Sequence, residues 1–547
     1  MSKDKYIPRK ISSVRELMEL AREEAGTKTA FRYKADDDSI VSVSYEAFYN
    51  KTQWLGAAVC SLGLGEAHIA CVGENSYNWL TVYLMALQSA GVFLPVDKDL
   101  PSAEMLHVLG AGEAEILFYD ENKEDWLREH REELSHIKCF VGFDRDIDEG
   151  DFLSYKKLVK LGRGLDLAEF KSAKRDENDM KMLVYTSGTT GVAKGVMLTE
   201  HNLVSMVYYG LLTSHMYDVG LSVLPYHHTY ESVVDILAGL HYHSTICIND
   251  SIKNVRKNLE LFKPEFIYIV PAFAEAFYNN IMKNVKRSGK EKTLKRGIAL
   301  SKSLLKIGID RRREIFSDIH KSFGGNLIRI GCGGAPVRPE IADFFNDIGI
   351  IFSNGYGITE CSPLVSLTTV KVNKPHTAGV RIPCLQCRIS QPDADGIGEI
   401  CVKGDTVMKG YYKAPEKTAE VMKDGWFYTG DYGMIDNEGL LHITGRKKNI
   451  IVLTNGKNIY PEELEEYIGG IDYVCEVIVS AIKNEHGEET GLKAEIYPYT
   501  PVEEAQVAKD VKRVLSELPS YKHISKIILR DEPFEKNSTN KIKRKYN

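Results

Sequence analysis

The sequence lacks the features that mark membrane, secreted and nucleic-acid-binding proteins. No stretch approaches the roughly 18 consecutive apolar residues that a membrane-spanning helix needs. The first residues, Met1 to Ile7, contain no apolar signal-peptide region. The formal net charge is only −6 over 547 residues, so bulk charge gives no reason to expect a nucleic acid partner. The ten cysteines are scattered, without the dense framework of a disulfide scaffold. We therefore expect a cytoplasmic protein with reduced thiols.

One cysteine pair, Cys384 and Cys387, has the spacing of half a zinc site. A structural zinc site needs further ligands at comparable spacing, and the nearest candidates, His376 and Cys401, are poorly spaced. We expect two half-buried thiols on a strand here, without metal or redox function.

The length of 547 residues is too great for one domain and indicates about two to four. Residues 1–180 alternate between helix-like and strand-like patterns. The clearest elements are a helix at 12–22 that opens with an N-cap serine, a strand at 69–72, a helix at 79–90 and a strand at 92–96. Such alternation predicts an α/β fold around a parallel sheet.

The most informative stretch is residues 185–195, Tyr-Thr-Ser-Gly-Thr-Thr-Gly-Val-Ala-Lys-Gly, which follows a strand-like run at 182–184. Glycines allow backbone N–H groups to turn toward an anion, hydroxyls donate further hydrogen bonds, and a lysine adds positive charge. The spacing differs from a Walker A loop, because Lys194 is followed by Gly195. A flexible surface loop is the alternative, but the coincidence of these features favours a polyphosphate site.

The loop resembles the signature loop of the adenylate-forming superfamily: acyl-CoA synthetases, the adenylation domains of peptide synthetases and firefly-type luciferases. The resemblance implies that the β- and γ-phosphates of ATP are held by Thr186, Ser187, Gly188, Thr189, Thr190 and Lys194. It also implies an α/β fold in which a large N-terminal domain of parallel and mixed sheets with helices carries a β-barrel-like subdomain. A small, mobile C-terminal α/β domain follows.

Two further glycine-rich runs are residues 331–336, Gly-Cys-Gly-Gly-Ala-Pro, and residues 353–360, Ser-Asn-Gly-Tyr-Gly-Ile-Thr-Glu. Glycines let the backbone approach a flat ligand, and a tyrosine can stack on a base. By resemblance, the adenine slot comprises Gly334, Ala335, Pro336, Asn354, Gly355, Tyr356 and Gly357. Thr359 then lies near the α-phosphate and Glu360 holds Mg²⁺, since a carboxylate beside a triphosphate requires a metal between the two anions.

The family pattern continues at Asp431, Arg446 and Lys448. An aspartate at the end of a strand suits two ribose hydroxyls as a double acceptor. By resemblance, Asp431 binds the ribose, Arg446 contacts ribose and phosphate, and Lys448 is the hinge residue. The implied domains are an N-terminal adenylate-forming domain with the ATP and acyl sites at 1–445, a hinge at 446–449 and a C-terminal domain at 450–547.

The C-terminal part predicts a small α/β domain with helices at 461–468 and 505–518 and strands at 474–482 and 492–497. Lys541 aligns with the catalytic lysine of the family, although Asn540 replaces the usual preceding glycine. Lys536 is a rival candidate, and the Lys-x-x-Arg spacing favours Lys541. A basic disordered tail is the alternative. Gly456 belongs to a run, 455–459, that the resemblance places along a tunnel for the pantetheine thiol of coenzyme A.

Two histidines are adjacent in residues 224–231, Leu-Pro-Tyr-His-His-Thr-Tyr-Glu. Consecutive side chains on a strand point to opposite faces, which argues against a metal shared by His227 and His228. The segment resembles the aromatic gate motif of the family. There, His228 would border the acyl pocket and close over the reacting carboxylate. A packed core histidine is the alternative.

Residues 276–325 form a helical, basic insertion. Lysine and arginine dominate 283–313, where Glu291 and Asp310 are the only acids and apolar residues recur. Such a stretch suits an anionic membrane surface or an acidic partner, and a solvated helical face is the alternative. A helical stretch at this position resembles that of long-chain fatty acyl-CoA synthetases.

These motifs imply ATP-dependent activation of a long-chain fatty acid to acyl-AMP with release of pyrophosphate, followed by thioester formation with coenzyme A. The implied catalytic residues are Lys541, Glu360, Thr186 and His228, and the cofactors are ATP, Mg²⁺ and coenzyme A. A stand-alone enzyme that loads an acyl or aminoacyl group onto a carrier-protein phosphopantetheine is the alternative. A non-catalytic scaffold predicts loss of Glu360, Asp431, Arg446 or Lys541, and all four are present. Peripheral contact with the inner membrane face through 283–313 is left open.

Overall fold

The computed structural model of the protein describes residues 6–35, 37–174, 176–186, 193–454, 457–485, 487–536 and 542–544. The α-helices in these ranges are α1 Val14–Ala25, α2 Tyr45–Ser61, α3 Tyr77–Gln88, α4 Ser102–Ala111, α5 Glu124–Glu129, α6 Tyr155–Gly162, α7 Ala168–Ser172, α8 Glu200–Thr213, α9 Ala238–Tyr242, α10 Val255–Phe262, α11 Pro271–Arg287, α12 Glu291–Lys306, α13 Arg312–Ile315, α14 Ser317–Ser322, α15 Pro339–Asp347, α16 Pro415–Val421, α17 Pro461–Gly469 and α18 Glu504–Val514. A π-helix, Tyr230–Leu237, runs directly into α9.

The strands are β1 Thr29–Lys34, β2 Ile40–Ser44, β3 His68–Val72, β4 Val92–Val96, β5 Ile116–Tyr119, β6 Cys139–Gly142, β7 Phe152–Ser154, β8 Met180–Thr186, β9 Lys194–Thr199, β10 Val219–Ser222, β11 Thr245–Ile248, β12 Phe266–Ile269, β13 Arg329–Gly333, β14 Ile351–Gly357, β15 Leu364–Leu367, β16 Val380–Arg381, β17 Leu385–Ser390, β18 Gly398–Gly404, β19 Gly410–Tyr411, β20 Met422–Lys423, β21 Trp426–Ile435, β22 Leu441–Arg446, β23 Ile451–Val452, β24 Asn458–Ile459, β25 Val474–Lys483, β26 Glu489–Pro498 and β27 Lys526–Leu529.

The predicted β/α alternation is confirmed by the elements that open the chain. The N-cap of α1 is Ser13, whose hydroxyl accepts a hydrogen bond from the N–H of Glu16. The buried residues of this helix, Val14, Leu17, Met18 and Ala21, follow the spacing of an amphipathic helix. Helix α3 is buried along nearly its whole length, so packing and not an amphipathic pattern sets its position.

Two large sheets form the body of the protein. One has the strand order β19-β9-β8-β4-β3-β5-β6-β7, and the other β16-β15-β14-β13-β12-β10-β11-β1-β2. In the nine-stranded sheet, the neighbouring strands β11, β10, β12, β13 and β14 are parallel. In the eight-stranded sheet, the neighbouring strands β8, β4, β3, β5, β6 and β7 are parallel. Helical connections between parallel strands bring the carboxyl ends of those strands to one edge, where open α/β sheets bind ligands.

Strand β9 has no counterpart among the elements predicted from the sequence. In the structure, β8 and β9 form an antiparallel pair in which Thr186 is opposite Lys194. Helix α8 then begins after Thr199, which forms a capping box with Asn202. The apolar run at 196–198 is too short to distinguish a strand by pattern alone.

Smaller sheets complete the α/β architecture that was predicted. A five-stranded antiparallel sheet, β17-β18-β21-β20 with β22 paired to β21, corresponds to the barrel-like subdomain. The strands β25, β26 and β27 form a separate sheet, and buried residues between 451 and 515 form their own apolar cluster. Helix α18 ends at Val514, four residues before the predicted end. The domain boundary at 446–449 stays a prediction.

The predicted basic insertion is helical and comprises α11, α12, α13 and α14. Among the helices that the structure describes, none is both long enough and apolar enough to cross a membrane.

Candidate active site

Asp431 contacts an arginine on the neighbouring strand and a tyrosine on β14. It pairs in register with Arg446 across β21 and β22, so both side chains lie on one face of the sheet. Arg446 Nε lies 2.8 Å from Asp431 Oδ1, and the hydroxyl of Tyr356 donates to Oδ2 at 2.7 Å. Burial, with the Asp431 carboxylate beside it, raises the pKa of Tyr356 well above its usual value, so the phenol is protonated and donates.

This arrangement adds to what the sequence predicted for Tyr356. The residue was expected to stack on a base, and the structure also gives it a bond to the predicted ribose ligand. Asp431 is 4% exposed while its partner Arg446 is half exposed. A carboxylate can accept several hydrogen bonds, as a ligand of two ribose hydroxyls requires.

A second cluster brings Lys194, Glu360 and Tyr411 together. Glu360 lies in a short 3-10 turn, Thr359–Cys361, after β14, and its Oε1 accepts from Tyr411 Oη at 2.9 Å. Lys194 Nζ lies 4.8 Å from the centroid of the Tyr411 ring, a cation–π distance. Thr186 is opposite Lys194 in the β8–β9 pair. The structure therefore places the described end of the predicted phosphate loop beside the predicted magnesium ligand.

Tyr411 was missed by the sequence analysis, although its ring and hydroxyl contact both charged groups. It belongs to the two-residue strand β19, which pairs with β9. Burial and the nearby Glu360 raise the pKa of Tyr411 far above its usual value, so this hydroxyl is also a donor. The Gly-Tyr-Tyr run at 410–412 is a weak signal, because nothing in it indicates a partner about 50 residues earlier.

The surroundings of Glu360 suit a Mg²⁺ ion of the kind that is bound at nucleotide sites. Within the described ranges, no group of three or more His, Cys, Asp or Glu side chains could hold a metal by itself. Mg²⁺ at nucleotide sites keeps several waters and is bound by one or two carboxylates together with substrate phosphates. A single carboxylate beside a lysine and the end of a phosphate loop matches that pattern.

The glycine-rich runs predicted to form the adenine slot are adjacent. Strands β13 and β14 are parallel, with Cys332 beside Asn354 and Gly333 beside Gly355, so the exposed segment 334–336 lies next to 354–356. Asn354 Nδ2 donates to Pro375 O at 2.7 Å. The Oδ1 atom of Asn354 is buried and accepts no hydrogen bond from any residue the structure describes. An exocyclic amino group of a base could donate there.

Gly334, Gly355 and Gly357 differ in how strongly the surrounding structure requires a glycine. A Cβ on Gly357 would lie 2.0 Å from the carbonyl oxygen of Pro363, so a close backbone approach requires glycine. A Cβ on Gly355 would meet its nearest atom at 3.4 Å, an ordinary contact. Packing within the protein does not demand glycine at 355, which is consistent with space kept for a ligand. Gly334 has a φ of +88°, a conformation that favours glycine.

The histidine segment differs from the expectation of a strand. Residues 226–228 form a turn that leads into the π-helix, and the rings of His227 and His228 lie 4.3 Å apart between centroids. His227 Nε2 lies 3.5 Å from Asp97 Oδ2, but burial lowers the pKa of His227 to about 3, so this imidazole is neutral. The prediction that alternating faces separate the two rings is wrong, because these residues form a turn and not a strand.

An apolar cavity begins at Asn354 and Gly355; its volume is about 40 Å³, and about 550 Å³ when the space between its lining atoms and its opening to solvent are included. It lies between α8 and the π-helix on one side and strands β12 to β15 on the other. Most of its lining is hydrophobic, including Met206, Leu211, Met216, Val233, Leu364 and Leu367. Tyr230 lines this cavity, and His228 is not among the described residues that do.

Glu231, next to Tyr230, is a structural residue. It is fully buried, and the Ser222 hydroxyl donates to its Oε1 at 2.5 Å. Burial raises the pKa of both Glu231 and the neighbouring Asp235. The π-helix therefore places two buried acids behind the wall of the cavity, where they face the core.

The remaining predicted residues are Lys448, six residues outside the described part of the chain, and the cysteine pair. Lys448 lies exposed in the 3-10 turn Lys447–Asn449, where β22 ends. Lys447 beside it pairs with Glu399 at 2.6 Å. Six predicted residues lie outside the described part of the chain: Ser187, Gly188, Thr189, Thr190, Gly456 and Lys541. Cys384 and Cys387 are half-buried free thiols, as predicted, and Cys387 lies on β17.

The overall fold is that of the adenylate-forming enzymes. An anthranilate CoA ligase bound to anthranoyl-AMP superposes with a TM-score of 0.79 at 17% identity, covering 97% of this chain and 95% of that one. ATP-bound MatB from Rhodopseudomonas palustris gives 0.76 at 24% identity, covering 96% and 97%.

The chain belongs to the AMP-binding enzyme family, which matches residues 18–412. A long-chain-fatty-acid–CoA ligase of Mycobacterium bovis is 31% identical over 345 residues, which is 59% of this chain and 56% of the relative. A long-chain-fatty-acid–[acyl-carrier-protein] ligase of Arabidopsis thaliana is 30% identical over 370 residues, covering 56% and 50%. The matched region thus spans about half the length of these relatives.

Replacement of Asp431 by Asn should weaken AMP binding by about ten- to a hundredfold, the effect of losing a charged hydrogen-bond acceptor. Isothermal titration with AMP measures this. Glu438→Gln is the matched control, since Glu438 lies in the same β-hairpin but contacts Lys374. Equal affinities in the two variants would show that Asp431 does not contact the nucleotide.

Proposed function

We propose that this protein activates an aliphatic carboxylic acid of long-chain type with ATP and transfers the acyl group to coenzyme A. The observation that carries the proposal is the apolar cavity that ends at Asn354 and Gly355. The same strand, β14, supplies Tyr356 to the Asp431 cluster and leads into Glu360. An acyl chain in the cavity would therefore present its carboxylate where the α-phosphate of a bound nucleotide lies.

The first half-reaction is a displacement at phosphorus. A carboxylate oxygen of the acid attacks the α-phosphate, the bond to the β-phosphate oxygen breaks, and pyrophosphate leaves. Catalysis of this kind depends on positioning and on charge neutralisation, with little acid–base chemistry. Lys194 and Arg446 supply fixed positive charge. Mg²⁺, when held by Glu360, supplies further charge neutralisation to the phosphates.

Two neutral tyrosine hydroxyls would orient the carboxylates that lie near the bound nucleotide. Tyr411 fixes the carboxylate of Glu360, and Tyr356 fixes that of Asp431. Both hydroxyls are held protonated by burial and by the carboxylate they contact. We propose that Thr186 and the loop residues Ser187 to Thr190 bind the terminal phosphates, that Thr359 lies near the α-phosphate, and that His228 closes over the reacting carboxylate.

The second half-reaction transfers the acyl group. The thiol of coenzyme A loses its proton to solvent, its sulfur attacks the carbonyl carbon of acyl-AMP, the bond from that carbon to the phosphate oxygen breaks, and AMP leaves. We propose that the C-terminal part, residues 450–547, turns about Lys448 between the two steps. In the first step it would present Lys541 to the phosphates, and in the second the face around Gly456 would line the thiol path.

The acceptor thiol has one competing candidate. A carrier-protein phosphopantetheine carries the same thiol as coenzyme A, and the Arabidopsis relative is named as an acyl-carrier-protein ligase. Coenzyme A is favoured because the Mycobacterium bovis relative, at 31% identity, is named as a CoA ligase.

A screen of pyrophosphate release over a panel of acids tests the proposal. Aliphatic acids from decanoate to palmitate should release pyrophosphate faster than acetate or any amino acid, because the apolar cavity favours buried methylene groups at about 0.8 kcal/mol each. Product analysis with coenzyme A and with a holo-carrier protein identifies the acceptor. Preference for an amino acid would contradict the proposal.

Replacement of Lys541 by Ala should abolish acyl-AMP formation while leaving thioester formation from supplied acyl-AMP largely intact. Lys536→Ala is the control, because Lys536 Nζ lies 2.6 Å from Glu476 Oε1 and is thereby engaged within the C-terminal part. Rapid-quench assays of the separate half-reactions give the result. Equal loss of both half-reactions in K541A would refute the assigned role.

We also propose that the basic insertion contacts an anionic membrane surface. Apolar residues are exposed in its middle part, around the end of α12: Leu300, Leu305, Ile307 and Ile309. Exposed basic residues of α12 surround them: Lys292, Lys295, Arg296 and Lys306. Lys302 is engaged with Asp347 at 2.9 Å. Exposed apolar side chains beside cations are the pattern of a helix that lies in a membrane interface.

The double variant Leu300→Ser with Ile307→Ser should reduce flotation with phosphatidylserine-containing liposomes by about tenfold, because it removes two insertable side chains. Ile252→Ser is the matched control, since Ile252 is also exposed but lies outside the insertion. If the double variant floats as well as the control, the membrane contact through this surface is excluded.

A further inference from the structure

The wall of the apolar cavity contains a buried arginine. Arg329 is the first residue of β13, lines the cavity, and is only 3% exposed. Its Nη1 atom donates to Ser214 Oγ and, at 2.9 Å, to His215 O, and its Nη2 atom donates to Ser353 Oγ at 3.0 Å. All these acceptors are neutral.

No direct ion pair balances the positive charge of Arg329 within the described part of the chain. Among the described residues, no carboxylate forms an ion pair with its guanidinium within 4.0 Å, and its Nε is buried without a hydrogen-bond partner. An arginine cannot shed its proton to avoid the cost of burial. A buried charge is tolerated when it is paired, so this guanidinium lacks the anion that would complete its surroundings.

The rest of the cavity offers no such anion. The nearby acids Glu231 and Asp235 face the core from the π-helix, and burial holds the pKa of each above its usual value. The other lining residues close to Arg329 are Ser214, Met216, Tyr268 and Ser353. A plain hydrocarbon chain in this cavity would exclude water from the guanidinium and supply nothing in exchange.

We propose that the acyl substrate carries a second carboxylate, at the end remote from the reacting carboxyl, and that Arg329 binds it. The substrate class is thus an α,ω-dicarboxylic acid of the aliphatic type. This inference rests on the proposed function, because it assumes that the cavity receives the acyl chain. Arg329 would be a specificity-determining residue, since a guanidinium matches a carboxylate in charge and in hydrogen-bond geometry.

The register of the sheet sets the length of such a substrate. Cys332 of β13 lies beside Asn354, where the cavity meets the nucleotide side. Arg329 precedes Cys332 by three residues, which is about 10 Å along a strand. This spacing suits a chain shorter than palmitate, so a ten-carbon acid is the appropriate probe.

The competing interpretation is that Arg329 is only a crosslink. It does connect the segment after α8, through Ser214 and His215, to Ser353 of β14. If Arg329 is only a crosslink, its loss should lower the stability of the protein and change kcat/KM equally for every substrate. A substrate-binding role predicts that the loss changes the ranking of substrates, which stability alone cannot do.

The test compares kcat/KM for decanedioate and decanoate in the full-length protein with ATP and coenzyme A. The wild type should prefer decanedioate by about tenfold or more. Arg329→Met should lower kcat/KM for decanedioate by about a hundredfold, the size expected for loss of a buried charge-assisted hydrogen bond, and leave or raise that for decanoate. Arg329→Lys, which keeps the charge, should retain part of the preference.

Arg313→Met is the matched control. Arg313 also donates to backbone near the start of β13, at Leu327 O and Gly325 O, but it does not line the cavity. Its kcat/KM ratio for the two acids should equal that of the wild type. If Arg329→Met does not fold, as judged by its thermal unfolding midpoint, the wild-type ratio and Arg329→Lys still decide the question.

The outcomes separate this inference from the proposed function. If the wild type activates decanoate and rejects decanedioate, or if Arg329→Met lowers both acids equally, the inference is overturned and the acid-activating function stands. If no aliphatic acid of either kind supports pyrophosphate release, both are overturned.

Discussion

The contact between Glu360, Tyr411 and Lys194 links the two large sheets at the candidate site. Glu360 follows β14 of the nine-stranded sheet, while Tyr411 and Lys194 belong to β19 and β9 of the eight-stranded sheet. One tyrosine thus holds a carboxylate at its hydroxyl and an ammonium group near its ring, and no ion pair between these two groups is found among the described residues. Both charges remain able to act on a phosphate and its metal, which a closed salt bridge would prevent.

The polar Asp431 cluster and the apolar cavity share one strand, β14, so two very different environments are adjacent. Residues 354–357 of β14 lie between a polar cluster centred on Asp431 and a cavity lined by leucine, methionine and valine. The antiparallel hairpin β21–β22 supplies the charges, and α8, the π-helix and β15 supply most of the apolar wall. The reacting carboxylate of an acid would lie at the boundary between these surroundings.

Short motifs predicted Tyr356, Asp431, Arg446 and Glu360, and the structure brings the first three of these residues into contact. Asp431 and Arg446 were assigned separately, and the structure brings them to 2.8 Å because they are cross-strand neighbours. Tyr411 and Arg329 could not be found, since their significance depends on partners at distant positions in the chain. A tyrosine after a glycine and an arginine in an apolar strand carry no local signal. The error at His227 and His228 has a different cause, an incorrect assignment of the local backbone.

The π-helix Tyr230–Leu237 forms one wall of the cavity, and this wall can change without moving the residues of the Asp431 cluster. A π-helix contains an extra residue relative to an α-helix, and such segments occur at functional sites. Tyr230, Val233 and Val234 of this segment line the cavity, and Glu231 and Asp235 face away from it. Deletion of one residue here would rotate a new set of side chains toward the ligand while β14 and the Asp431 cluster stay in place. Related chains could thereby acquire different acids as substrates through a change of helical register alone.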